Sequence, residues 1–245
     1  MTLMPDQRLR RSALYRELVA LGATFAEVNG AACAMTCGGS AEAEAERARA
    51  LAICDLTPLP RAGFKGHGAI DWLRTQGVTV TDANNMNAWQ DDGTGAARLA
   101  DTEVLLLSDL ACQSTICDTI AAAWSPDPDV GSYPVPRADT NCWFLISGRY
   151  SATMFSKICG VDLRPDKFPL GAVAQTSVTG LNSIVIRADV GETLAYHYLT
   201  DNASASYVWE CLLDAMGEWG GAPVGLDAMR GLNGDKSAAD IGDGP

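Results

Sequence analysis

The sequence predicts an α+β protein made of two lobes of antiparallel sheet with helices on one face. Three observations predict it. From Asn141 to Arg187 an apolar run, a helical stretch, a Pro-bounded loop and two alternating segments follow one another, punctuated by glycine or proline. After residue 140 the order strand–helix–strand–strand–strand–helix is that of helices packed on a mostly antiparallel sheet. Ser125–Thr140, with prolines at 126, 128, 134 and 136, is the only stretch long and polar enough to link two lobes. The predicted organisation is an N-terminal lobe over residues 1–124, a linker over 125–140, a C-terminal lobe over 141–232 and a flexible tail over 233–245.

Leu9, Ala13, Leu14, Leu18 and Leu21 recur at helical steps and predict a helix from Gln7 to Leu21, closed by Gly22. A short strand is expected over Phe25–Val28, and AACAMTCGGS reads as a loop. A second helix follows from Ala41 to Leu51, with Ser40 as its cap and Glu42 and Glu44 complementing its positive end. Pro58 and Pro60 break Ile53–Gly66 into two short extended pieces. A third helix spans Ala69–Gln76, and Asn84–Gly95 reads as polar loop apart from Met86 and Trp89. Ala97–Ser108 reads as a hairpin turning at Asp101–Thr102, followed by a helix over Cys112–Trp124.

Beyond the linker come a strand over Cys142–Ser147 and a helix over Tyr150–Cys159. Two strands, Ala172–Val178 and Ser183–Ala188, turn at Gly180. A third strand, Thr193–Leu199, precedes a helix over Ala203–Glu218 capped by Asn202. A brief helix over Leu226–Met229 closes the pattern, and no internal repeat is evident.

Net charge is −12 over 245 residues. This excludes nucleic acid, which needs clustered Lys and Arg to displace counterions, and anionic membranes. No run approaches the roughly 20 apolar residues of a membrane span. The N-terminus MTLMPDQRLRR lacks the apolar core of an export signal. The eight cysteines therefore read as reduced thiols, and the protein as soluble and cytoplasmic.

Candidate chemistry is sparse. GFKGHG at Gly63–Gly68 has neither the spacing nor the Lys-Ser/Thr end of a phosphate loop, and reads as a tight turn into the third helix. Cys33 and Cys37 lack the second close pair that a structural zinc site needs. Cys159, at the carboxyl end of its expected helix, reads as an inert packing residue. Asp91 and Asp92 are an adjacent acidic pair beside Trp89, either an acid–base pair across a substrate or a solvated loop. His197 alternates with Tyr196 and Tyr198 on one strand and reads as a hydrogen-bonded structural histidine. No Gly-x-Ser-x-Gly occurs, and no catalytic or metal-ligating residue stands out.

From Arg98 onward the chain resembles a known family. TGAARLADTEVLLLSD is similar to the "RLGPDEWLLL" hairpin of the gamma subunit of heterotetrameric sarcosine oxidase. SGRYSATMFSKICGVDLRPDKFPLGAVAQTSV is similar to that family's short helix followed by "GxDL", "FPxG" and "AQT", at Gly160–Leu163, Phe168–Gly171 and Ala174–Thr176. LGATFAEVNGAACAM, ICDLTPLPRAGFKGHGAIDWL and VGLDAMRGL resemble the wider aminomethyltransferase family, which includes the glycine-cleavage T protein. The resemblance covers roughly Ala13 to Leu232. It implies the aminomethyltransferase folate-binding fold without that family's C-terminal barrel domain.

The resemblance also implies where the family's functional residues should fall. The catalytic aspartate belongs just before Arg98, where Asp91 or Asp92 stands in. A folate-contacting glutamate falls at Tyr196, or at His197 one place on. The family's iron–sulfur assembly motif KGCYxGQE is absent. The implied role is an accessory, non-catalytic gamma-type subunit of a flavoenzyme that demethylates sarcosine or N-methylglutamate. FAD, FMN, NAD and tetrahydrofolate would be carried by alpha-, beta- and delta-type partners, and this chain would hold no cofactor. The alternative is a free-standing tetrahydrofolate-dependent aminomethyl or methyl transferase. Trp89, Trp124 and Tyr133, flanking polar or Pro-rich loops, are either partner-interface anchors or caps over the chain's own core.

Overall fold

The computed structural model describes residues 3–234. The N-terminal segment is not the long helix its leucine spacing suggests. A 3-10 turn (Pro5–Gln7) and strand β1 (Arg10–Arg11) precede a short helix α1 (Tyr15–Ala20). Leu14 and Leu18 are buried, but Leu9 is fully exposed, so the leucine spacing overstates the helix by about two turns at its start. Strands β2 (Ala23–Val28) and β3 (Ala31–Cys37) form a hairpin, and AACAMTC is therefore strand, not loop. Its turn, Asn29–Gly30, has φ of 50° and 76°, the left-handed pair that Asn-Gly supplies most cheaply.

Helix α2 (Ala41–Ala50) starts as expected: Ser40 Oγ accepts from Ala43 N–H at 3.3 Å. Strands β4 (Ala52–Asp55) and β5 (Arg61–Lys65) flank the two prolines, and α3 (Ala69–Thr75) ends before Gly77. Met86–Trp89 is strand β6, where a loop was expected. It leads into β7 (Gly95–Ala100) and β8 (Glu103–Leu107), then α4 (Ile116–Ala123), which begins a turn later than the sequence suggests.

Residues 125–140 are not a bare linker. They form β9 (Tyr133–Val135), paired to β5, and the short helix α5 (Arg137–Thr140). The buried Arg61 guanidinium fixes this segment, donating to the carbonyls of Ala138 at 2.8 Å and Arg137 at 3.0 Å, and also to that of Asn141. After β10 (Asn141–Ser147), α6 stops at Phe155 (Ser151–Phe155), short of Cys159. Cys159 instead bridges Val178, with its Sγ accepting from Val161 N–H at 3.5 Å. The hairpin β11 (Val173–Val178) and β12 (Leu181–Arg187) turns at Thr179–Gly180, and β13 is Ala195–Asp201. Asp201, not Asn202, caps the chain leaving β13: its carboxylate accepts from Ala203 N–H at 3.0 Å. Helices α7 (Ala205–Met216) and α8 (Leu226–Gly234) flank β14 (Ala222–Val224). The expected tail beyond residue 234 lies outside the described residues.

Three sheets result, in the orders β1-β3-β2, β11-β12-β13-β10-β4-β14 and β6-β7-β8-β5-β9. All pairings are antiparallel except β1–β3 and β14–β4. The six-stranded sheet draws on both halves of the chain, because β4 lies between β10 and β14. The boundary expected around residues 125–140 therefore does not divide the sheets.

Burial explains the layering. Phe144, Ile146, Tyr196 and Tyr198 on one face of the six-stranded sheet pack with Phe155 of α6 and Trp209 and Leu212 of α7. Trp143, Leu145, Ala195 and Leu199 on the other face meet Leu99, Leu105 and Leu107 of the five-stranded sheet, while Ala48 and Met229 from α2 and α8 join the same cluster. The outer face of the five-stranded sheet is covered by α3 and α4 through Phe64, Leu73, Leu106 and Ile120. Each large sheet thus carries helices on its outer face, and the two sheets share an apolar interlayer.

Candidate functional site

The two large sheets are stitched together at one corner. Asn87 N–H donates to Gly171 O at 2.7 Å and Val173 N–H to Asn85 O at 2.9 Å, around an antiparallel bridge between Met86 and Ala172. Gly171 makes the seam possible. Its φ is +81°, and a Cβ there would lie 3.0 Å from Asn87 O and 3.2 Å from Trp89 Cζ3. Beside this seam lies a cleft of about 260 Å³, walled by Asn87 and Trp89 of β6, Asp92 and Asp109 on the loops beside β7 and β8, and Asp189 and His197 from the opposite sheet.

The carboxylates are held by local hydrogen bonds. Asp92 accepts from Thr94 N–H at 2.9 Å. Asp109 accepts from the N–H groups of Ser114 at 2.9 Å and Gln113 at 3.1 Å. Thr94 Oγ1 and Ser114 Oγ lie 2.7 Å apart and tie the two loops together. Slight burial pushes the Asp92 carboxyl upward, but donors from Ser114 and Thr94 outweigh it and hold the group below the ordinary aspartate range. Asp189 is different. Arg187 grips it in a fork, with Nε at 3.0 Å and Nη2 at 2.8 Å, and neutralises it.

His197 is tuned by burial. Trp143 Nε1–H donates to its Nδ1 at 3.0 Å. Burial lowers its pKa from 6.5 to about 4, so the ring is neutral at pH 7. With Nδ1 an acceptor, the proton sits on Nε2, and the cleft is offered an N–H donor rather than a base. Asn87 adds an acceptor of another kind. It is 6% exposed, and its Oδ1 has no hydrogen-bond partner. Its amide lies over Gly95, where a Cβ would come within 2.9 Å of Oδ1.

The structure sorts the residues picked out by sequence. Asp92, Trp89 and His197 come together in the cleft. Asp91 does not: it lines a second, more open groove with Thr79, Gln90 and Ile116, which Trp89 and Asp92 also border. Tyr196 points into the opposite core, against Phe155 and Phe168, and its hydroxyl donates to Leu163 O. The place one residue on, His197, is the one that reaches the cleft. Trp124 is half-buried, its indole N–H bonded to Ser132 O at 2.7 Å, and caps the cluster under α3 and α4. Trp89 and Tyr133 are 40% and 55% exposed and sit on the two opposite edge strands of the five-stranded sheet, so they do not form one patch. Cys33 and Cys37 lie on β3, and burial pushes both thiols up to about 12.

Asp109, Asp189 and Asn87 were not anticipated. Asp109 carried a signal, an acid immediately after an apolar strand, where loops take up functional side chains. Asn87 carried none, because its role depends on a glycine eight residues on.

The family profile described as GCVT N-terminal domain matches residues 14–243. No curated protein matches the sequence directly. Among solved structures, the glycine cleavage system aminomethyltransferase T from Bartonella henselae superposes with a TM-score of 0.68 at 15% identity, over 92% of this chain and 62% of that one. This chain thus spans less than two thirds of that aminomethyltransferase. A chain of the heterotetrameric sarcosine oxidase from Corynebacterium sp. U-96, in complex with pyrrole 2-carboxylate, superposes with a TM-score of 0.63 at 20% identity, over 86% of this chain and 97% of that one. At these identities the likeness is one of fold.

Proposed function

This chain belongs to the GCVT N-terminal domain family, and on that premise we propose that it is an accessory, gamma-type subunit of a multisubunit flavoenzyme that oxidatively demethylates a secondary N-methyl amino acid, sarcosine or N-methylglutamate. The observation that carries this reading is the superposition on a heterotetrameric sarcosine oxidase chain over nearly all of that chain's length. Alpha-, beta- and delta-type partners would supply FAD, FMN, NAD and tetrahydrofolate. The N-methyl group would be oxidised there and its carbon passed to folate outside this chain.

The cleft supports a non-catalytic role. At about 260 Å³ it falls below the roughly 300–1,000 Å³ of pockets that enclose drug-sized ligands. Its walls carry Asp92 and Asp109, which would face the carboxylate tail of a folate with like charge. The residues present therefore do not fit tetrahydrofolate. His197 is a neutral donor and Asp92 is tied to Thr94, so neither is poised as a general base. That weighs against the free-standing transferase.

What the chain offers a partner is surface. Trp89, Tyr133 and Tyr207 are 40–55% exposed, and large aromatics of this kind anchor interfaces. The test is co-expression with candidate alpha-, beta- and delta-type subunits, followed by native mass spectrometry and an absorption spectrum. Co-migration with a flavin-bearing complex is the expected outcome. A stable monomer that never enters a flavoprotein complex would sink the reading.

A further inference from the structure

On the basis of the subunit reading, we propose that the open edge of β11 receives an extended segment of a partner subunit. The segment's backbone pairs with Gln175 and Ser177, and a basic side chain on it enters the groove beside them, towards Asp201. Backbone alternation defines the edge. Arg187 N–H donates to Ala172 O at 3.0 Å, so the even-numbered residues of β11 face β12. Val173 N–H, donating to Asn85 O at 2.9 Å, faces outward with the odd-numbered ones. The outward side is closed at both ends, by the Met86–Ala172 bridge and by Cys159–Val178, where Thr179 N–H donates to Ile158 O at 3.0 Å. Between them the N–H and C=O of Gln175 and the N–H of Ser177 have no partner among the described residues. Both residues are exposed, and the Gln175 side chain is engaged elsewhere, with Leu99 O at 2.6 Å and Asn85 Oδ1 at 2.9 Å.

Among the described residues, every other edge of the three sheets is blunted. β9 carries Pro134 and β14 carries Pro223, while β2 has a bulge at Thr24–Phe25 and the charged Glu27. β1 is two arginines long, and β6 gives its Asn87 N–H to Gly171 O. The VAQTSV of β11 has no proline, charge or bulge. Unpaired N–H and C=O groups at strand spacing match another peptide backbone, which neither a lipid nor a nucleic acid reproduces. The side chain follows from a groove of about 680 Å³ that shares Gln175 and Ser177 with the edge. Arg137 in that groove is paired with Glu103, whereas Asp201 accepts from Ala203 N–H at 3.0 Å and has no cation among the described residues. With the whole chain at −12, lysine or arginine is the complement, and a second copy of this chain would bring like charge instead.

The experiment titrates the full chain into the purified flavin-bearing subunits, with hydrogen exchange by mass spectrometry on the free chain and the complex. The Gln175 and Ser177 amides, open to exchange in the free chain, should add protection to the Val173–Val178 peptide in the complex. Ser177→Pro removes an outward N–H without touching the ladder to β12, and should weaken binding about tenfold or more, with Ser177→Ala as the unchanged control. Asp201→Asn keeps the acceptor for Ala203 N–H, removes the charge and should weaken binding about threefold or more. The exchange readout needs no variant, so a misfolded Ser177→Pro leaves the test intact. A wild-type chain that binds no flavin-bearing subunit overturns the subunit reading and this surface with it. Binding without added protection of Val173–Val178, or with equal affinity in a folded Ser177→Pro or in Asp201→Asn, overturns the edge alone. The same protection arising from self-association of the isolated chain overturns it too.

Discussion

His197 makes the protein's stability depend on pH between about 6.5 and about 4, mostly above the range where aspartates and glutamates titrate. Its pKa falls from 6.5 to about 4 on folding because burial disfavours the imidazolium, and the indole N–H of Trp143 occupies Nδ1. The sign follows from which state takes up the proton first. Below about pH 6.5 the unfolded chain binds it and the folded chain does not, so acidification favours unfolding until the folded ring also titrates near pH 4. At 1.36 kcal/mol per unit, the linkage between about pH 7 and about pH 5 comes to roughly 2 kcal/mol. Urea unfolding of the wild type and of His197→Gln at both pH values measures it. The wild type should lose close to 2 kcal/mol more than the variant, whose uncharged amide does not titrate. Parallel losses in the two proteins would show that the ring is solvated and free to protonate, and the fixed donor at the cleft would go with it.

Other substitutions probe the frame around the cleft. Gly171→Ala places a side chain at φ +81° against Asn87 O and Trp89, and should cost about 2 kcal/mol in urea unfolding, against about zero for Gly160→Ala, which has open space. Glu44→Ala removes the carboxylate that accepts from Cys37, Gly39 and Gly225 N–H groups; the one buried donor left unpaired, Gly225 N–H, and two partly solvated ones predict a loss of about 2 kcal/mol, measured the same way. Cys33, Cys117 and Cys142 are buried with pKa values pushed up to about 12, so a thiol reagent at about pH 8 should modify them only after denaturant is added, as mass mapping would show. Trp89→Ser should leave the melting temperature within a few degrees but weaken recovery of the chain with its partners in co-expression.

Where the sequence was read correctly, the elements were local and their signals dense. Ser40 before an Ala/Glu run, Gly180 between alternating segments and the two prolines around Leu59 each dictate backbone within a few residues, and the structure follows them. The misreadings were of two kinds. In AACAMTC the small residues suggested loop, yet they are small because β14 and α8 approach closely. A Cβ at Gly225 would sit 2.0 Å from Met35 O, a tertiary constraint that periodicity does not encode. The Asn29–Gly30 pair before it is the local hairpin signal, left-handed at both residues. The Ser125–Thr140 stretch looked like linker because of its prolines, but a three-residue edge strand tolerates Pro134, and Arg61 supplies bonds from far along the chain. The cleft was half legible. Asp92 and His197 were marked out by residue type, whereas Asn87 and Asp109 acquire meaning only once two sheets meet.

The family signature and the cleft are one construction. Phe168–Thr176 is the most specific match to the resembling subunits, and its opening Phe168–Gly171 carries no group that could do chemistry. Its glycine is nonetheless what lets Asn87 N–H reach Gly171 O and lets the Trp89 ring lie over the backbone. Those two residues form the β6 wall of the cleft. Arg187, which neutralises Asp189 on the opposite wall, also donates to the carbonyls of Pro165 and Phe168 at 3.0 Å each, anchoring the same loop. A change in the loop would therefore move both walls, and a change that frees Arg187 would add a third uncompensated carboxylate. The signature is a joint between two sheets, and the cleft's charge and shape depend on that joint. Its residues can be essential to the cleft without any of them touching what the cleft holds.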